Sequence, residues 1–338
     1  MTRAFIAGCS GLTLTDDEIV FFRAAEPWGF ILFKRNIESP GQVRALTQAL
    51  RETVGRENAP ILIDQEGGRV QRMGPPHWPV YPPGRAYGRI AGNDPLFQRE
   101  IARLGARLMA HDLRESGINV DCAPVLDVPV EGAHDVIGDR AYARDPETVA
   151  VLGRAAAEGL IAGGVLPVIK HVPGHGRAGA DSHHALPVVH ASREDLERQD
   201  FMPFRHLADM PLAMTAHVVY TALDPDRPAT TSPRVVQDVI RDHMRYDGLL
   251  VSDDLSMNAL AGSLAERAAA AFAAGCDVAL HCNGRLDEMD AVASETPELA
   301  GETKRRTDAA LARTRHIPEP LNVVDARQRF TAALAALA

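Results

Sequence analysis

The residues able to do chemistry in this 338-residue chain fall into a few short stretches. The densest is Lys170-His171-Val172-Pro173-Gly174-His175-Gly176-Arg177-Ala178-Gly179-Ala180-Asp181-Ser182-His183-His184. Asp181 and His183 flank a serine, so an extended segment projects both side chains to one side. A carboxylate beside an imidazole fixes its tautomer and favours its protonated form, which makes a pair able to give and take protons. The glycines and proline around them predict a mobile loop, over residues 174–183, that closes on a substrate. A second stretch is Ser252-Asp253-Asp254, which follows the apolar Gly248-Leu249-Leu250-Val251. Strand geometry turns two adjacent carboxylates to opposite sides, so only one should face a site. That one can act as a nucleophile toward a sugar's anomeric carbon or as a metal ligand, and either aspartate can instead cap the next helix. Asp64-Gln65-Glu66-Gly67-Gly68, His217, and His281 with Asn283 close further apolar runs.

These stretches share one context. Eight short apolar runs cover Ala4–Gly8, Gly29–Phe33, Pro60–Asp64, Asn119–Pro124, Leu166–His171, Leu212–His217, Leu249–Asp253 and Asp277–His281. Each is too short for a helix and apolar almost throughout, as in a parallel strand covered on both faces. Helix starts stand between them. Thr15 with Glu18 and Ser263 with Glu266 form capping boxes, and Ser39-Pro40, Asp94-Pro95, Asp145-Pro146 and Ser232-Pro233 set a cap before a first-turn proline. Ser192 with Asp195 opens a further helix, and Gly55, Gly117 and Gly275 stand where helices should stop. Strict alternation through eight units predicts an α/β chain closed into a TIM-like (β/α)8 barrel; an open dinucleotide-binding sheet would carry G-x-G-x-x-G after its first strand, and none follows Gly8. Without a linker-like stretch, residues 1–338 read as a single catalytic domain whose residues from about Glu302 form a C-terminal helical wrap. In such a barrel the strand ends share one mouth, so the chemical residues above should converge there.

Composition excludes several classes. With 46% hydrophobic and 24% charged residues the chain is neither disordered nor fibrous. A net charge of -9, with Lys34, Lys170 and Lys304 as the only lysines, argues against a nucleic-acid partner. No apolar run reaches the roughly 18 residues of a membrane span. Ile6-Ala7-Gly8-Cys9 looks like a lipidation site, but the five residues Met1–Phe5 ahead of it are too few for a signal, and a first strand is expected. Cys9, Cys122, Cys276 and Cys282 are scattered without C-x-x-C and are expected to be free thiols in a reducing cytoplasm.

The motifs carry a family resemblance. Asp64-Gln65-Glu66-Gly67-Gly68-Arg69-Val70-Gln71-Arg72, Ile137-Gly138-Asp139-Arg140, Lys170-His171-Val172-Pro173-Gly174-His175-Gly176 with Asp181-Ser182-His183, and Ser252-Asp253-Asp254-Leu255-Ser256-Met257 follow one another in order. Together they resemble the β-N-acetylhexosaminidases of glycoside hydrolase family 3, of the bacterial cytoplasmic NagZ type. The resemblance implies that Asp253 is the nucleophile of a retaining reaction. It implies that His183, oriented by Asp181, is the acid and base, and that Asp64, Arg72, Arg140, Lys170 and His171 bind the sugar. It also implies an exo-acting enzyme that removes GlcNAc from cell-wall fragments (GlcNAc-1,6-anhydroMurNAc-peptides) in the cytoplasm, as a monomer with no cofactor, no metal, and no nucleic-acid or membrane partner. His217 and Asn283 are expected to line the pocket. Val172, where the family commonly has Phe, and Arg177, where an acidic residue is common, depart from the pattern.

Three other readings use some of the same residues. A metal-dependent barrel hydrolase would ligate through His171, His183, His217 and Asp253, but H-x-H is missing after the first strand and H-E-x-x-H is missing throughout. A family 3 β-glucosidase usually adds a second domain that supplies a carboxylate acid. A non-catalytic sugar-binding barrel needs Asp64 and the arginines but neither Asp253 nor His183.

Overall fold

The computed structural model describes residues 1–90, 94–182 and 185–335. Eight parallel strands close into a barrel: β1 (Arg3–Gly8), β2 (Pro27–Leu32), β3 (Ile61–Ile63), β4 (Val120–Asp121), β5 (Leu166–Val172), β6 (Leu212–Thr215), β7 (Leu249–Asp254) and β8 (Val278–His281). Neighbours in sequence are neighbours in space, and β1 closes the ring against β8 with Phe5 opposite Ala279 and Ala7 opposite His281. All eight apolar runs are therefore strands of one barrel. β3 and β4 are shorter than expected, and in the run that forms β4 Pro124 has no N–H to extend the ladder.

Period-two alternation sorts the strand side chains. Ile6, Leu62, Val120, Met214, Val251 and Leu280 fill the barrel, while Phe5, Ile63, Ile169, Ala213 and Leu250 pack outward against the helices. The helix caps form as the sequence predicts: both capping boxes close, and Ser39, Asp94 and Asp145 each accept a first-turn N–H. Ser232 caps in the same way, accepting the N–H of Val235 at 3.1 Å. Among the described residues no helix is long and apolar enough to cross a membrane.

Two irregularities matter for the site. β5 slips register between Lys170 and Val172, and β7 slips between Val251 and Asp254. A slip of this kind breaks strict alternation. Lys170 with His171, and Asp253 with Asp254, border one cavity as a result. The expectation that only one of the two aspartates would face it is corrected by this distortion. After β3 the chain turns in a hairpin, Gln65–Gly67 against Val70–Gln71. Gly67 has φ 94°, and a Cβ there would lie 2.2 Å from the carbonyl oxygen of Pro82, so no other residue fits. That hairpin delivers Arg72 to the mouth.

Candidate active site

A cavity of about 150 Å³ opens at the carboxyl ends of the strands, bordered by Asp64, Glu66, Arg72, Arg140, Lys170, His171, His175, Ser182 and Asp253. On one side lies a charge network. Lys170 donates to Asp64 Oδ1 at 2.8 Å and its Nζ lies 2.7 Å from Glu66 Oε1; its side chain is 3% exposed. Arg72 donates to Asp64 Oδ2 at 3.0 Å, and Arg140 grips Glu66 through two bonds of 2.8 Å. Burial alone would raise both carboxyls. Lys170 and Arg72 overcome it to hold Asp64 far below the usual carboxylate range, and Arg140 with Lys170 holds Glu66 down to about 2. Both are anions at neutral pH. The guanidinium of Arg72 also lies over the ring of Phe33, 5.2 Å from its centroid, and its buried Nε has no hydrogen-bond partner among the described residues.

The second part is built around Asp127, which is fully buried. Its Oδ2 accepts from His171 Nδ1 at 2.7 Å, and its Oδ1 accepts the backbone N–H groups of His171 at 3.2 Å and His175 at 2.6 Å. Burial raises the Asp127 carboxyl, but His171 and these bonds bring it down to about 2. With Nδ1 occupied, His171 has Nε2 left for the cavity. His175 is pushed down to about 4 by burial and by His171, so its ring is neutral, and its Nε2 lies 3.3 Å from Ser182 Oγ.

Asp253 is the third part. Its Oδ1 accepts the Asp254 N–H at 2.8 Å, and its own N–H donates to Thr215 Oγ1 at 3.3 Å. Burial raises its carboxyl, while His217, His171, the Asp254 N–H and Lys170 lower it by more, so it sits below its ordinary value. Burial also favours the neutral form of His217; the Asp254 amide and Lys170 support the anion whatever the charge on that ring. Asp254 is used differently: its carboxylate accepts from Ser256 N and Oγ at 3.0 and 2.7 Å and from the Cys282 N–H at 3.2 Å, tying β7 to the end of β8. It is the structural member of the pair.

Several expected site residues sit elsewhere. His217 is fully buried behind the strand ends and does not line the cavity. Its Nε2–H donates to the Asp254 carbonyl at 3.0 Å, so its Nδ1 accepts from Thr230 Oγ1 at 2.7 Å, and Thr230 in turn meets Thr215 at 2.8 Å. A chain of hydroxyls thus links that ring to the backbone of Asp253. Asn283 turns its amide to Glu288, which also accepts from His281 Nε2 at 3.0 Å, so neither belongs to the mouth. Both lock the helix Leu286–Ser294 onto β8. His183 lies outside the described residues. The loop before it is not uniformly free: Tyr220 OH donates to the Gly174 carbonyl at 2.7 Å, and Gly176 packs so tightly that a Cβ would lie 2.1 Å from the Val128 carbonyl oxygen. These contacts anchor residues 174–178 in this structure, at the start of the segment for which the sequence predicts mobility.

Sequence reasoning missed three residues. Glu66 stands inside its motif, yet nothing in the sequence marks it as the group that holds both Arg140 and Lys170. Asp127 sits in the apolar stretch Val125–Val128, where one carboxylate among apolar neighbours was the available signal. His175 stands in a glycine-rich loop, where its sequence neighbours do not show that Asp127 accepts its backbone N–H.

Fold and cavity together define a (β/α)8-barrel enzyme whose mouth offers anions, guanidiniums and imidazoles to a small polar ligand. The family model for the glycosyl hydrolase family 3 N terminal domain matches residues 27–317. The chain is 39% identical over 304 residues to a β-hexosaminidase of Bordetella parapertussis, covering 88% of this chain and 85% of that one. It is 40% identical over 297 residues to a β-hexosaminidase of Pseudomonas aeruginosa, with coverage of 87% and 86%. The crystal structure of NagZ from Neisseria gonorrhoeae in complex with N-trifluoroacetyl-D-glucosamine superposes with a TM-score of 0.85 at 32% identity, over 99% of this chain and 96% of that one. The chain belongs to glycosyl hydrolase family 3 and is a glycosidase of the NagZ-like β-N-acetylhexosaminidase type.

Proposed function

We propose that this chain is a retaining, exo-acting β-N-acetylglucosaminidase that trims terminal GlcNAc from peptidoglycan fragments during cell-wall recycling in the cytoplasm. The observation that carries the mechanism is the ionised Asp253 at the end of β7, fixed by the Asp254 N–H at the cavity wall. An anchored carboxylate attacks the anomeric carbon, forming a glycosyl ester as the bond to the leaving oxygen breaks. His183, paired with Asp181, gives that oxygen its proton and then takes one from the water that hydrolyses the ester, so configuration is retained. Asp64 accepts hydrogen bonds from hydroxyls of the terminal sugar, while Arg72, Arg140, Lys170 and His171 donate to or contact its oxygens. Charge-assisted bonds of this kind reject isosteres that lack the hydroxyl. The substrate is a small-molecule sugar, acted on by a monomer of one catalytic domain.

The metal-dependent alternative loses a ligand in this geometry. Both ring nitrogens of His217 are used, by Thr230 and the Asp254 carbonyl. Among the described residues no three His, Cys, Asp or Glu side chains are grouped to hold a metal ion.

Turnover of aryl β-GlcNAc, β-GalNAc and β-glucoside by the wild type, Asp253→Ala and His183→Ala tests the proposal. GlcNAc should be preferred to glucose by at least a hundredfold, with both variants severely impaired on an aglycone that is a poor leaving group. Equal turnover of the glucoside would reject the acetamido specificity, and an active Asp253→Ala would reject the nucleophile.

A further inference from the structure

The charge network of the cavity has an anchor outside it. Asp121, the last residue of β4, is fully buried and does not border the cavity. Its Oδ1 accepts the backbone N–H of Gln65 at 3.0 Å, where the chain leaves β3, and its buried Oδ2 has no hydrogen-bond partner among the described residues. Gln65 is itself buried and commits its side chain to the far arm of the hairpin. Its Oε1 accepts the N–H groups of Arg72 and Met73, each at 3.0 Å, and its Nε2 donates to the Met73 carbonyl at 2.8 Å.

These contacts close a ring. Asp64 precedes Gln65 in the chain, the Gln65 amide fixes the backbone of Arg72, and the Arg72 guanidinium returns to Asp64 Oδ2 at 3.0 Å. The Asp121 carboxyl joins Gln65, the central member of that ring, to the neighbouring strand, at the rung where Asp121 stands opposite Ile63. It does so by accepting a hydrogen bond, not by its charge. Burial lifts the Asp121 carboxyl well above the usual carboxylate range, and the anions Asp64 and Glu66 add to this, against the Gln65 N–H and Lys170. An anion with one oxygen buried and without a donor is far costlier than the uncharged acid, whose carbonyl oxygen still accepts from Gln65.

We propose that Asp121 and Gln65 are positioning residues for sugar binding: Asp121 holds the backbone of Gln65, and the Gln65 side chain holds Arg72 where, beside Asp64, it meets the terminal sugar. This rests on the reading of Asp64 and Arg72 as sugar-binding groups and adds what places them. Gln71 secures the hairpin independently, donating to the Met73 and Pro79 carbonyls at 2.7 Å and accepting the Tyr81 N–H at 2.9 Å. Cutting the Asp121 tie should therefore displace Arg72 without unfolding the turn.

The test is a double-mutant cycle on 4-nitrophenyl β-GlcNAc hydrolysis, with Asp121→Leu, Arg72→Ala and the two combined, and with Asp121→Asn as the variant that keeps the acceptor. Melting curves check that each folds. Asp121→Leu should raise KM about fivefold or more with kcat close to that of the wild type, and Asp121→Asn should bring KM back to within about twofold. In the Arg72→Ala background, where KM is already raised, Asp121→Leu should change KM by less than about twofold, because its effect passes through the side chain already removed. An equally large effect of Asp121→Leu in that background, no effect in either background, or an asparagine variant as impaired as the leucine one overturns the proposal. Should Asp121→Leu fail to fold, Gln65→Met replaces it in the same cycle, since it keeps the backbone N–H to Asp121 and removes the side-chain bonds to Arg72. If Arg72→Ala alone leaves KM unchanged, the sugar-binding assignment fails and the proposal with it; if Arg72→Ala raises KM and the two substitutions act independently, only the positioning role fails.

Discussion

Replacing Glu66 by glutamine removes one negative charge from the centre of the network while keeping its shape. Glu66 is the carboxylate that Arg140 grips with two bonds of 2.8 Å and that Lys170 approaches to 2.7 Å, and its side chain is only 6% exposed. Two routes give the cost. Breaking a buried ion pair from one side costs about 3–5 kcal/mol. Independently, a carboxyl brought from 4.5 to about 2 by folding contributes about 3 kcal/mol at neutral pH, at ~1.36 kcal/mol for each decade in proton affinity. The sign follows from a depressed folded value: the contribution is complete above the unfolded value of 4.5 and is lost as the pH falls through about 2. By pH 3 it should have fallen to about half. For a chain of this length about 3 kcal/mol corresponds to a melting shift of about 4 °C. Urea denaturation and melting of wild type and Glu66→Gln at pH 7, 4 and 3 should show a gap that narrows toward acid. A melting difference under about 1 °C at pH 7, or a gap that does not change with pH, would refute the electrostatic account of this network.

Three other consequences can be checked. Asp127→Asn puts an amide where three N–H groups converge; kcat/KM should fall at least a hundredfold and stability by about 1–3 kcal/mol, measured by kinetics and denaturation. Thr230→Val cuts the hydroxyl chain between His217 and Thr215; kcat should fall about tenfold with KM little changed, since the backbone of Asp253, the proposed nucleophile, is loosened while the proposed sugar-binding groups stay. In hydrogen exchange, the amides of Gly174, His175 and Ala178, bonded to the His171 carbonyl, to Asp127 and to the His175 carbonyl at 2.7, 2.6 and 3.1 Å, should exchange slowly. Gly179 and Ala180 should exchange fast, and one uniform rate through 174–180 would contradict the anchored stem.

The barrel was legible because burial on both faces leaves a plain mark: Leu166–Ile169 and Leu249–Val251 can be little else than core strands. The caps were legible for a similarly local reason, since Thr15 and Ser263 satisfy N–H groups three residues away. What escaped reading was set by contacts between distant segments. Glu66 and Arg140 are 74 residues apart, and nothing in either motif says that the arginine's fork is committed to that carboxylate. His217 and His281 end apolar runs just as Asp253 does, yet Thr230 and Glu288 draw their rings away from the mouth. The register slips in β5 and β7 have no signature in the sequence, and they are what bring Lys170 and His171, and likewise Asp253 and Asp254, to a single cavity.

The central claim is that Asp253 becomes covalently bonded to the sugar. Incubation with an activated 5-fluoro-GlcNAc donor, followed by intact mass and peptide mapping, addresses it directly. One added glycosyl unit, carried on the peptide that contains Ser252-Asp253-Asp254 and localised to Asp253, is the predicted result. A label on any other residue, or rapid turnover of hydrolysing enzyme that never yields an adduct, would contradict it.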